Sequence, residues 1–168
     1  QGAAPADPDE GPELAALFPA EPNVPACYGR AYDARHLAQH PAQQVTGIAM
    51  RFVQRESGAD PDIPGVGHLF QLQVKRRGDA RFLKALGPCM AEDGRVFCGV
   101  ECDGGGLYAK KRDDGALILS FDESWGIRMT TTCDEDEADA AELLPGADDK
   151  VFRLDPLPAS QCPPYEQW

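Results

Sequence analysis

Two imidazoles stand at i and i+4 in His36-Leu37-Ala38-Gln39-His40, a spacing that on one helical face can hold Zn²⁺ or Cu²⁺. Position 37 is leucine, so the glutamate of the metalloprotease helix is absent, and a third ligand has to come from His68 or from a carboxylate brought near by the fold. The competing reading is two solvent-facing histidines closing a short helix, where the C-terminal end of the dipole favours them. For a hard cation such as Ca²⁺ the candidate is the acidic run Asp134-Glu135-Asp136-Glu137-Ala138-Asp139 with Glu142. An EF-hand loop needs glycine at its sixth position and glutamate at its twelfth; here those positions are Asp139 and Pro145. A solvated, acidic helix start accounts for the run at least as well.

Nucleophilic and cofactor chemistry find little purchase. The four serines, at 57, 120, 124 and 160, lie in no Gly-x-Ser-x-Gly turn. Gly104-Gly105-Gly106 leads into the strand-like Leu107-Tyr108-Ala109-Lys110 and not into the Gly-Lys-Ser/Thr that opens a phosphate-cradling helix. A Cys–His nucleophile needs a free thiol, which an even, fully paired set of cysteines does not supply. A hydrolase built on two carboxylates distant in sequence is a reading that spacing does not exclude.

Recognition has a better candidate. Tyr28, Arg30, Tyr32, Asp33 and Arg35, with His36, form a dense polar and aromatic segment, and tyrosine and arginine are the residues enriched at binding hot spots. The ordinary alternative is that the tyrosines cover one end of a barrel and Arg–Asp pairs decorate it.

The composition constrains where such residues can act. With 16 basic and 28 acidic residues the formal charge is −12, which argues against nucleic acid and anionic lipid as partners, because both require positive potential. No apolar run approaches the length of a membrane span. Six cysteines with no C-x-x-C pair point to disulfides and an oxidising compartment. A start at Gln1 fits a mature secreted or periplasmic product, and the single asparagine, Asn23, amid abundant Ala, Arg, Gly and Asp suggests a GC-rich bacterial source.

Position in the fold depends on two hairpins. Asp93-Gly94 between apolar runs calls for a two-residue type I′ turn, which pairs Glu92 with Arg95, Ala91 with Val96, Met90 with Phe97 and Cys89 with Cys98. The last pair falls at a non-hydrogen-bonded site, where side chains are closest, and a disulfide is expected there. At Arg112-Asp113-Asp114-Gly115-Ala116 a three-residue loop with Gly115 left-handed pairs Leu107 with Phe121, Ala109 with Leu119 and Lys111 with Leu117, collecting the apolar residues on one face. Cys102–Cys133 and Cys27–Cys162 are proposed for the remaining cysteines, the second tying the ends of the domain together.

Residues 1–26 carry six prolines and read as an extended tail or tether whose removal leaves the fold nearly unchanged, although Leu14 to Phe18 can dock on the domain or add a helical turn. A single domain, 27–162, then opens with a short helix capped by Asp33 and stopped by Pro41. Strands follow at 45–55 and 68–75; 80–86 is ambiguous, 125–133 and 151–154 read as strands, and 134–144 as a surface helix. Residues 163–168 form a C-terminal tail. About eight short strands with helices only in connections imply an all-β, disulfide-bonded antiparallel sandwich or small barrel. Without a catalytic set, the sequence favours a non-enzymatic binding module of the cell envelope, acting as an inhibitor, ligand carrier or assembly factor on an unidentified protein or small molecule. No cofactor is expected; a Zn, Cu or Ca ion at His36/His40 or at 134–142 is the alternative.

Overall fold

Both hairpins close in the register that their turn residues require. In the computed structural model, which describes residues 11–55, 67–100, 105–121, 127–129, 141–143 and 150–162, β4 (Leu83–Glu92) pairs with β5 (Arg95–Gly99) through Glu92–Arg95, Ala91–Val96, Met90–Phe97 and Cys89–Cys98. Asp93 and Gly94 take φ of 50° and 79°, the left-handed pair that a type I′ turn demands. Cys89 and Cys98 are disulfide-bonded with Cα atoms 4.1 Å apart. The second hairpin joins β6 (Gly106–Lys111) to β7 (Leu117–Phe121) with Leu107 opposite Phe121, Ala109 opposite Leu119 and Lys111 opposite Leu117. Gly115 has φ 90°, and the Asp114 carboxylate fastens the loop by accepting from the Ala116 N–H at 3.0 Å.

The remaining strands are β1 (Pro25–Ala31), β2 (Val45–Gln54), β3 (His68–Arg76), β8 (Ile127–Met129), β9 (Ala141–Leu143) and β10 (Val151–Leu157). Eight of the strands form a closed antiparallel barrel in which β1 to β7 each pair with the next, β10 pairs with β7, and β10 closes back on β1. Closure settles barrel against sandwich. The excursion between β7 and β10 contains the small β8–β9 sheet, so residues 141–143, read from sequence as part of a helix, are a strand.

Strand β1 has no counterpart in the sequence reading, which placed a helix first. Its signal is weak: Pro25 and Gly29 are poor strand formers, and Cys27, Tyr28 and Gly29 are buried in succession without alternation. Gly29 is held bare by the Leu157 side chain, whose methyl would lie 2.7 Å from a Cβ there. Beside it, Cys27 and Cys162 form the expected disulfide, Cα atoms 5.4 Å apart, across the β1–β10 seam.

The barrel interior is filled by side chains. Met50, Phe52, Leu72, Leu107, Leu117 and Phe152 are among those fully buried, as alternation along each strand dictates. One end is plugged by α1 (Pro12–Leu17). Pro12 stands in its first turn, where a missing N–H costs nothing, and Leu14, Leu17 and Phe18 at i, i+3 and i+4 form one apolar stripe. All three are buried in the barrel core. The Phe18 ring meets Phe52 edge-on at 5.1 Å and His68 at 4.7 Å. Six residues cannot sustain a helix alone, so burial holds it. Of the roles open to this patch, the docked helical turn is the one observed, so part of the expected tail lies in the core. At the other end lies α2 (Ala34–Gln39), in the β1–β2 connection. Among the described residues no helix is long and apolar enough to cross a membrane.

Candidate functional site

Asp33 starts α2 as the sequence requires, its Oδ1 accepting from the His36 N–H at 2.8 Å. Of the candidate binding residues, Tyr28 is a correction: β1 points it into the barrel, where it is buried with its ring 6.0 Å from Phe52. Arg30 and Tyr32 share that parity, but β1 has reached the barrel rim by then and Arg30 emerges into solvent. Its Cζ lies 4.8 Å over the Tyr32 ring, a cation–π distance. Tyr32 in turn lies 4.7 Å from His36, and His36 stacks on His40 at 4.4 Å with 26° between planes. Four side chains therefore form one continuous stack along the rim, with exposed Arg35 beside it.

The stack rests on a fixed base. Buried Gln43 donates from Nε2 to the Val45 carbonyl at 2.8 Å, which leaves its Oε1 as the acceptor facing His36 Nε2 at 3.0 Å. His36 thus donates from Nε2, and in the neutral ring Nδ1 keeps its lone pair. Arg77, just past β3, donates to the carbonyls of Leu37 and Gln43 at 2.6 Å each and to that of His40 at 3.0 Å, satisfying the C-terminal end of α2.

The structure does not bring the three histidines together. His68 begins β3 at the α1 end of the barrel, against Phe18, while His36 and His40 sit at the other end. Imidazole lone pairs lie in the ring plane, so two rings stacked nearly parallel do not aim them at a common ion. Among the described residues no group of three or more His, Cys, Asp or Glu could hold a metal. The acidic run at 134–139 and the Cys102–Cys133 pairing lie outside the described residues, and of Glu142 only its place in β9 is described.

Two described carboxylates have shifted acidities, both in the direction opposite to that of a general acid. Asp79, in the β3–β4 turn, is held well below the usual carboxylate range, first by the side-chain hydrogen bonds from Arg81 and then by the Arg81 backbone N–H. The Arg81 guanidinium is 2.9 Å away. Asp114 is lowered chiefly by the Ala116 N–H, with Arg153 and Arg112 adding to it. A depressed folded-state pKa gives stability that is present at neutral pH and lost as pH falls below the ordinary carboxylate range of about 4. The gap in melting temperature between the wild type and Asp79→Asn is therefore expected to be widest near pH 7 and to close progressively below about pH 4. A gap that widens on acidification would contradict this.

A second surface escaped the sequence reading. On the outer wall of the barrel a groove of ≈ 630 Å³ is lined by Arg95, Tyr108, Lys110, Lys111 and Arg112 together with Asp113, Asp114, Ile118 and Ser120. The Arg95 guanidinium lies 3.5 Å above the Tyr108 ring. The signal was present in the hairpin registers, which place Arg95, Tyr108 and Lys110 on the outward parity once Val96 and Ala109 are assigned inward.

The chain matches no family model, no curated protein and no solved structure.

Proposed function

We propose that the protein is a non-enzymatic binding module of the bacterial cell envelope, secreted or periplasmic, that recognises a protein partner through the rim of its barrel. The observation that carries this is the Arg30–Tyr32–His36–His40 stack, in which arginine and aromatic groups are held in place before any partner arrives. Prior ordering lowers the entropy cost of association, and these are residue types that anchor interfaces. The filled interior supports recognition on the outside of the barrel, and so an inhibitor or assembly factor over a carrier of small ligands. Two disulfides support an oxidising compartment.

Arg30 and Arg35 are exposed, so replacing them leaves the core untouched. An affinity pull-down from envelope extract is expected to recover a stoichiometric partner with the wild type. Arg30→Glu and Tyr32→Ala should each weaken that complex by at least ~2 kcal/mol, the size of a hot-spot loss, with Arg30→Glu leaving the melting temperature unchanged. Retention of the partner by both variants, or recovery of none by the wild type, would refute the reading.

A further inference from the structure

We infer that the groove over β5, β6 and β7 is a second docking surface, separate from the rim stack, and that its occupant is an acidic polypeptide segment with an aromatic or large apolar side chain next to its carboxylates. The strand registers build this surface. Met90 stands opposite Phe97, Phe97 opposite Tyr108, Tyr108 opposite Ser120 and Ser120 opposite Val151, so these five side chains form one outward row across five strands. The outer face of such a sheet is ordinarily polar. Here Met90 is 39% and Val151 60% exposed, and the Phe97 and Tyr108 rings pack at 5.2 Å between them. Phe97 lies over Gly106, where any Cβ would overlap its ring, which fixes the ring in place.

The adjacent row is cationic. Arg95 and Lys110 flank the Val96–Ala109 pair, Lys110 faces Ile118, and Ile118 faces Arg153. Of the groove's two carboxylates, Asp114 is already shared by Arg153 at 3.2 Å and Arg112 at 3.9 Å. Glu92 stands opposite Arg95 in the hairpin, yet the guanidinium lies over Tyr108. Arg95, Lys110 and Lys111 have no carboxylate partner among the described residues.

Charge selects the class of occupant. The whole chain carries −12, a net charge that opposes an extended polyanion. Screening over about 8 Å lets the local cations act only at short range. Nucleic acid and anionic bilayers are disfavoured for that reason, whereas a segment with a few carboxylates fits within the positive patch. A guanidinium fork matches a carboxylate bidentately, and stacking on Tyr108 holds its plane in advance. Phe97, Met90 and Ile118 supply the apolar contact for a neighbouring side chain.

Twelve-residue peptides displayed on phage, selected on the wild type and counter-selected on the Arg95→Glu/Lys110→Glu double variant, test this directly. Enriched sequences are expected to carry Asp or Glu beside Phe, Tyr, Trp or Leu. A synthetic peptide from that pool should bind Arg95→Ala and Lys110→Ala about tenfold more weakly than the wild type, a loss of about 1.4 kcal/mol. Its affinity for Arg30→Glu should be unchanged, which separates this surface from the rim stack. Enrichment of neutral or basic sequences, or no enrichment against the double variant, overturns the proposal. So does tighter, Arg95-dependent binding of duplex DNA or phosphatidylglycerol vesicles.

Discussion

A chain shortened to begin at Pro19 is expected to lose most of its stability, because it removes Leu14, Leu17 and Phe18 from the barrel core. The effect can be graded. Leu17, 1% exposed, projects from a helix held by its burial against the barrel end, so Leu17→Ala should cost about 2–5 kcal/mol as lost transfer energy plus an unfilled cavity. Against a total of about 5–15 kcal/mol for a typical domain, that is a large fraction. Ala15 lies on the exposed face of the same helix, and Ala15→Ser should stay within about 0.5 kcal/mol of the wild type. Urea unfolding followed by circular dichroism reads all three, the midpoint falling for Leu17→Ala at constant slope. If the shortened chain unfolds at the same urea concentration as the full one, the plug contributes nothing and the buried stripe is incidental.

The sequence hides this helix for a physical reason. Six prolines in the first 26 residues suggest extended chain, and propensity alone supports nothing else. What overrides it is tertiary: Pro12 and Pro19 fall at the two ends of the helix, where proline is tolerated, and the apolar stripe between them has a barrel end to cover. The hairpins were legible for the opposite reason, since Asp93-Gly94 and Gly115 impose backbone signs locally and the apolar partners then admit a single register. Strand β1 was not, because Cys27, Tyr28 and Gly29 are buried on both faces and show no alternation. The rim stack was half legible: the dense run of tyrosine, arginine and histidine stands out in the sequence, but the inward parity of Tyr28 follows from the missed strand. The same limit hid barrel closure, which rests on β1 meeting β10, a contact between the two ends of the domain with no local signature.

That seam is where the second large effect is expected. The pairing of β1 with β10 spans only Cys27–Leu157, Tyr28–Pro156 and Gly29–Asp155, and one of those partners is a proline that offers no N–H. The Cys27–Cys162 disulfide reinforces it across a sequence separation of 135, whereas Cys89–Cys98 closes a separation of only 9. Loop-closure entropy of the unfolded chain rises with the logarithm of loop length, giving about 5 kcal/mol for the long bridge and about 2.6 kcal/mol for the short one. Cys27→Ala/Cys162→Ala should therefore destabilise roughly twice as much as Cys89→Ala/Cys98→Ala, measured by urea unfolding without reductant. The two variants should also differ in where they loosen. In the first, faster hydrogen exchange is expected at the β1 amides that face β10, because three residue pairs must hold the barrel closed alone. An opened seam exposes two unpaired strand edges, so this variant should also associate in a concentration-dependent way that the hairpin variant does not. Equal costs for the two bridges, or unchanged exchange at the β1 amides that face β10, would mean that the strand pairing and packed interior close the barrel without the covalent link.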